Sequence, residues 1–87
     1  MNTTPQLFNM NKTQIACALK IEEITCTHNE PTPVCLKEVE AACNIFCLST
    51  KEKKGIVRHF EQEAKYLSQY FDHKWVTEMV KRVFKFA

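Results

Sequence analysis

The chain reads as all-α, a small bundle of three or four helices. Three observations predict this. Gly55 is the only glycine in 87 residues, and hairpin turns and phosphate-cradling loops both require glycine where φ is positive. Apolar residues recur at three- and four-residue steps along most of the chain. Helix-start signals recur as well: Asn11 with Gln14, Thr32 with Pro33, and Ser49 with Glu52. The length suits one domain, and at 45% hydrophobic and 25% charged residues it has the composition of a globular one.

Residues 1–10 are polar, lack a period and contain a proline, so they read as a flexible arm ahead of a helical domain at 11–87. Asn11 is placed to cap a first helix over 12–25, with Gln14 completing a capping-box variant. That helix carries Ile15, Leu19, Ile21 and Ile24 among alanines, a broad apolar face. Residues 27–32 break it. Thr32 then caps a second helix over 33–48, with Pro33 at its first position and Leu36, Val39, Ala42 or Cys43, and Phe46 or Cys47 at helical steps. Ser49-Thr50-Lys51-Glu52 is the clearest local signal, a capping box in which serine and glutamate each satisfy the other's backbone amide. It opens a third helix with Ile56, Phe60, Ala64, Leu67 and Phe71 on one stripe. Gly55 costs that helix about 1 kcal/mol against alanine. Asp72 is a candidate cap for a last helix over 73–86, with Val76, Met79, Val80 and Val83 on one face and Trp75 at the core edge. The expected core contains Leu19, Ile24, Leu36, Val39, Phe46, Ile56, Phe60, Leu67, Val76, Val80 and Val83.

Charge is split along the chain: residues 1–50 carry a net −2 and residues 51–87 a net +4. An acidic first half and a basic second half suit charge-steered pairing with a protein. Nucleic acid is the weaker expectation, because Glu61, Glu63, Asp72 and Glu78 interrupt the basic residues. No apolar run is long enough to span a bilayer, so no membrane partner is expected, and residues 1–5 lack the basic start and apolar stretch of a secretion signal. Two sequons, at Asn2 and Asn11, weigh slightly towards a mature or shortened secreted form over a cytoplasmic one.

All five cysteines, Cys17, Cys26, Cys35, Cys43 and Cys47, precede residue 48. Outside the cell they read as a disulfide framework, and inside it as small buried apolar side chains. Cys43 and Cys47 are expected on one helix face, with Cβ atoms about 5–6 Å apart, so each needs a partner on another element. An odd count leaves one thiol over in a monomer. With His28 and Cys35, Cys43 and Cys47 offer four zinc-type ligands, but the paired spacing of zinc knuckles is lacking, and no metal or other cofactor is expected. His28, His59 and His73 converge on no cysteine, so no catalytic residue is assigned.

Cys17-Ala-Leu-Lys-Ile-Glu-Glu-Ile24, then Cys35, Asn44-Ile45-Phe46, Thr50-Lys51-Glu52-Lys53 and Tyr70-Phe71-Asp72-His73-Lys74 resemble the short-chain helical cytokines of the interleukin-4/interleukin-13 family. The chain departs from that family in being shorter, in carrying Val57 where a cysteine is usual, and in lacking the C-terminal cysteines. The resemblance implies a secreted ligand of a type I cytokine receptor, without catalysis. In that family a helix A glutamate and a basic helix C residue anchor the receptor. By local match these are Glu23 and Lys85, flanked by Lys81 and Arg82, with the lysine unable to copy an arginine's two-pronged fork. The competing expectation is an intracellular helical adaptor or inhibitor, viral or bacterial, that binds one protein.

Overall fold

The structure, a computed structural model, describes the backbone of residues 10–28, 30–67 and 74–86, with side chains for 10–28, 30–62 and 75–86. Residues 1–9 of the arm expected over 1–10, the Ala64 and Leu67 side chains, Phe71 and the cap at Asp72 lie outside the described residues, while Met10, the arm's last residue, is buried in the core. Within them the chain forms four helices and no strand: α1 (Lys12–Cys26), α2 (Pro33–Ile45), α3 (Thr50–Leu67) and α4 (Lys74–Val83). The all-α bundle follows as expected.

Three helix starts form as the sequence implies. The Asn11 side chain accepts from the Gln14 amide at 2.8 Å, and the Gln14 side chain accepts from the Asn11 amide at 2.7 Å. Thr32 Oγ1 accepts from the Cys35 amide, with Pro33 at the first helical position. Ser49 Oγ accepts from the Glu52 amide at 3.1 Å, and Glu52 returns the bond by accepting from the Ser49 amide at 2.9 Å.

The capping boxes of α1 and α3 are also joined to each other. Asn11 Nδ2 donates to Glu52 Oε2 at 2.9 Å, and Gln14 Nε2 donates to the Glu52 carbonyl at 3.1 Å. The Ser49 amide and the Asn11 side chain, both bonded to the Glu52 carboxylate, hold its pKa below the ordinary 4.5. A depressed carboxylate pKa gives stability that is complete above the unfolded value and is lost as pH falls through the folded one. Glu52→Gln should therefore lower the unfolding midpoint at neutral pH and flatten its acid limb, the gap from the unmodified protein closing as pH falls below about 4.5. Two parallel acid limbs in a pH series of urea titrations would contradict this.

The helix ends differ from expectation. The second helix stops at Ile45 rather than residue 48, because Cys47 takes a left-handed backbone with φ 50°. Cys43 and Cys47 therefore do not share a helix face. The last helix ends at Val83 rather than residue 86, closed by Phe86 N–H donating to the Lys81 carbonyl and Lys85 N–H to that of Arg82. This is a Schellman arrangement with Lys85 left-handed at φ 64°. A side chain there costs roughly 1 kcal/mol relative to glycine. Lys85→Gly should accordingly raise stability by up to about 1 kcal/mol, read as a higher urea midpoint; an unchanged or lower midpoint would contradict it.

Six contacts fix the topology. The sulfurs of Cys17, early in α1, and Cys43, late in α2, touch at 3.8 Å, so these helices run antiparallel. Glu52 meets the start of α1, and His59 meets Glu22 further along, so α1 and α3 run parallel. Lys81 reaches Glu61, while Lys53 lies over the Phe84 ring, so α3 and α4 are antiparallel. Cys35 Sγ rests on Met79 Sδ across α2 and α4. Two helical hairpins are thus stacked, α1 on α3 and α2 on α4, and α1 and α4 stand on a diagonal without substantial mutual packing.

Each helix contributes to one core. The wholly buried side chains include Ile21 of α1, Val39 of α2, Ile56 of α3, and Val76 and Val80 of α4. Burial of each stabilises by about 1.5–3 kcal/mol. Phe60 belongs to this core, and Ile24, Leu36, Phe46 and Val83 pack half-buried against it. Leu19 does not; it is 60% exposed. The inward stripe of α1 is instead Gln14, Cys17, Ala18, Ile21 and Thr25. Small Cys17 and Ala18 let neighbouring helices approach. The two polar members are satisfied, Thr25 by bonding back to the Ile21 carbonyl and Gln14 by bonds to the Asn11 amide and the Glu52 carbonyl.

Candidate protein-binding surface

The four charged residues proposed from sequence fall on two corners of the bundle. Glu23 lies on the outer face of α1, paired with Lys20 one turn away at 3.2 Å. Both side chains are at least half exposed, so this pair adds little to stability and leaves Glu23 available to a partner. Lys81 is more committed: its ammonium lies 3.3 Å from Glu61 and 3.7 Å from Glu78, and it ties α4 to α3. Arg82 and Lys85 are exposed. The diagonal placement of α1 and α4 separates Glu23 from these cations, so a partner engaging both must span the bundle.

A second surface feature lies on α2. Val34 and Ile45 are 62% and 79% exposed, and Ala41 between them is exposed as well. Spacings of seven and four residues bring the three onto one helix face. Opposite them, Cys35, Val39, Ala42 and Cys43 enter the core. Sequence reading followed the buried stripe and passed over the exposed one, although the spacing of Val34, Ala41 and Ile45 carried the signal.

The thiols divide by depth. Cys17, Cys35 and Cys43 are buried, Cys26 and Cys47 are exposed, and all five are free. Burial, reinforced by the nearby Glu38 charge, pushes the Cys35 thiol pKa up. Hydrogen bonding from Cys43 lowers that of Cys17, while the same contact, together with burial, raises that of Cys43. His28 turns to Glu38 at 3.0 Å rather than towards Cys35. Among the described residues no three side chains of His, Cys, Asp and Glu gather as a metal set would.

In the sequence His59 is one of three histidines whose spacing converges on no cysteine. It is buried between α1 and α3, with Nε2 3.6 Å from Glu22 Oε2. Its role is to join two helices in the interior. No protein-family model matches the chain, and no curated protein or solved structure matches it. No described helix is long and apolar enough to cross a membrane.

Proposed function

We propose that this chain acts without catalysis, as a ligand that binds one protein partner. The observation that carries this reading is the exposed Val34–Ala41–Ile45 stripe on α2. Apolar side chains aligned on one helix face are the anchors with which a helix enters a partner's groove. Exposed Glu23, Arg82 and Lys85 supply charge for approach and orientation, with Lys81 beside them.

The partner to test first is a type I cytokine receptor, because Glu23 and the basic end of α4 match the residues through which interleukin-4-like ligands are anchored. On this reading the protein is secreted and its cysteines have an oxidising environment. Surface plasmon resonance on an interleukin-4-type receptor ectodomain tests it. The unmodified protein should bind at micromolar concentration or tighter. Glu23→Ala and Lys85→Ala should each weaken the complex by about 2–5 kcal/mol where the charges are desolvated. Val34→Glu with Ile45→Glu should abolish binding while leaving the circular dichroism spectrum unchanged, since exposed substitutions usually alter folding by under about 0.5 kcal/mol.

A specific observation favours a second reading, the intracellular adaptor or inhibitor. Cytokine bundles run up-up-down-down with long crossovers, whereas α1 to α2 and α2 to α3 are joined by short links and adjacent helices in sequence are antiparallel. Absence of receptor binding by the unmodified protein would end the cytokine reading and leave the adaptor.

A further inference from the structure

We infer that Cys17 and Cys43 form a disulfide that ties α1 to α2. The pair is singled out by position. Among the described residues, theirs are the only two cysteine sulfurs in contact, at 3.8 Å. Cys35 Sγ is turned to Met79 Sδ, and Cys26 and Cys47 are exposed on the surface. Bond formation requires the two sulfurs to approach by about 1.8 Å, and each sulfur is carried by an unbranched side chain with a single Cα–Cβ torsion. The secreted state of the proposed ligand is the setting in which this bond persists, so its biological weight rests on that reading.

The chemistry balances with a small disulfide such as oxidised glutathione as the oxidant. The Cys17 thiolate attacks one glutathione sulfur and expels the other as thiolate. Cys43, deprotonated in turn, attacks the Cys17 sulfur and expels the second glutathione thiolate. Two protein thiols are oxidised to one disulfide, one oxidised glutathione is reduced to two thiols, and the two protons pass to them. Cys17 is wholly buried once α1 is docked, so the exchange takes place as the two helices come together during folding.

The bond would link residues 26 apart in sequence, a span long enough for a substantial restriction of the unfolded chain. The test is to refold the full chain in a reduced/oxidised glutathione buffer, alkylate the remaining thiols in denaturant, and map tryptic peptides by mass spectrometry. Trypsin isolates Cys17 in residues 13–20 and leaves Cys43 with Cys47 in residues 38–51. A parallel run on Cys47→Ser removes that ambiguity. The expected result is one linked peptide joining Cys17 to Cys43, with Cys26, Cys35 and Cys47 alkylated. The oxidised protein should also unfold at least about 10 °C above the reduced one, a difference that Cys17→Ser abolishes. Recovery of Cys17 and Cys43 alkylated, or either linked to another cysteine, would overturn the inference. The map is read on the unmodified chain and on Cys47→Ser, so failure of Cys17→Ser to fold does not affect it. Receptor binding is measured separately: a mapped bond without binding removes only the cytokine reading, and binding without the bond removes only this one.

Discussion

Ile56→Ala should destabilise the protein by about 2–5 kcal/mol, the largest loss expected of any single truncation described here. Ile56 is wholly buried on α3 and belongs to the cluster that includes Ile21, Val39, Val76 and Val80 from the other three helices. Removing three carbons there forfeits their transfer free energy and leaves a cavity that four packed helices can only partly close. A chain of 87 residues has roughly 4–13 kcal/mol of total stability, so the loss is a large share of the whole. The thermal midpoint should fall by roughly 10 °C or more. Leu19→Ala is the control: its side chain is mostly in water, and the change should stay within about 0.5 kcal/mol. Urea titration of both variants decides the matter. A small loss for Ile56→Ala, or a large one for Leu19→Ala, would mean that the inward faces of α1 and α3 are assigned wrongly.

Gly55→Ala should destabilise the protein by about 1–2 kcal/mol, although alanine is the better helix former by about 1 kcal/mol. The reason is spatial. A Cβ at Gly55 would overlap Gln14 Nε2, and Gln14 cannot simply swing aside. Its carbonyl oxygen holds the Asn11 amide in the capping box, and its amide nitrogen holds the Glu52 carbonyl. Displacing it breaks one or both bonds and leaves groups at a partly buried helix junction unsatisfied. In a Gln14→Ala background the obstruction is gone, and the same glycine substitution should stabilise by about 0.5–1 kcal/mol. A double-mutant cycle measures this reversal of sign directly. If Gly55→Ala stabilises the otherwise unmodified protein, the close approach of α1 to α3 is not what retains glycine.

Local chemistry was the legible part of this fold. The caps at Asn11, Thr32 and Ser49 could be read because capping depends on two or three neighbouring residues, and each formed as expected. The inward face of α1 could not be read in the same way. Ile15, Leu19, Ile21 and Ile24 surround that helix, so its period leaves the face open, and the choice fell to packing against α2 and α3. Gly55 showed only its local cost until Gln14, distant in sequence, was seen to occupy the space above it. The left-handed residues Cys47 and Lys85 carried no glycine or asparagine to announce them. For the surface, charge was legible by composition, and Glu23, Arg82 and Lys85 are indeed exposed. Their separation across a diagonal depends on how the two hairpins stack, which no local pattern encodes.

The joined capping boxes have an electrostatic consequence. Parallel α1 and α3 bring two helix N-termini side by side, each equivalent to about half a positive charge from aligned peptide dipoles. Two like poles held together repel, and the Glu52 carboxylate, bonded to the Ser49 amide of one helix start and the Asn11 side chain of the other, lies between them. It is therefore a counter-ion shared by two macrodipoles. Protonating it removes the compensation from both at once, so the protection of amides in the first turns of α1 and α3, taken relative to their intrinsic exchange rates, should fall together on acidification, although their residues lie about forty positions apart in the chain.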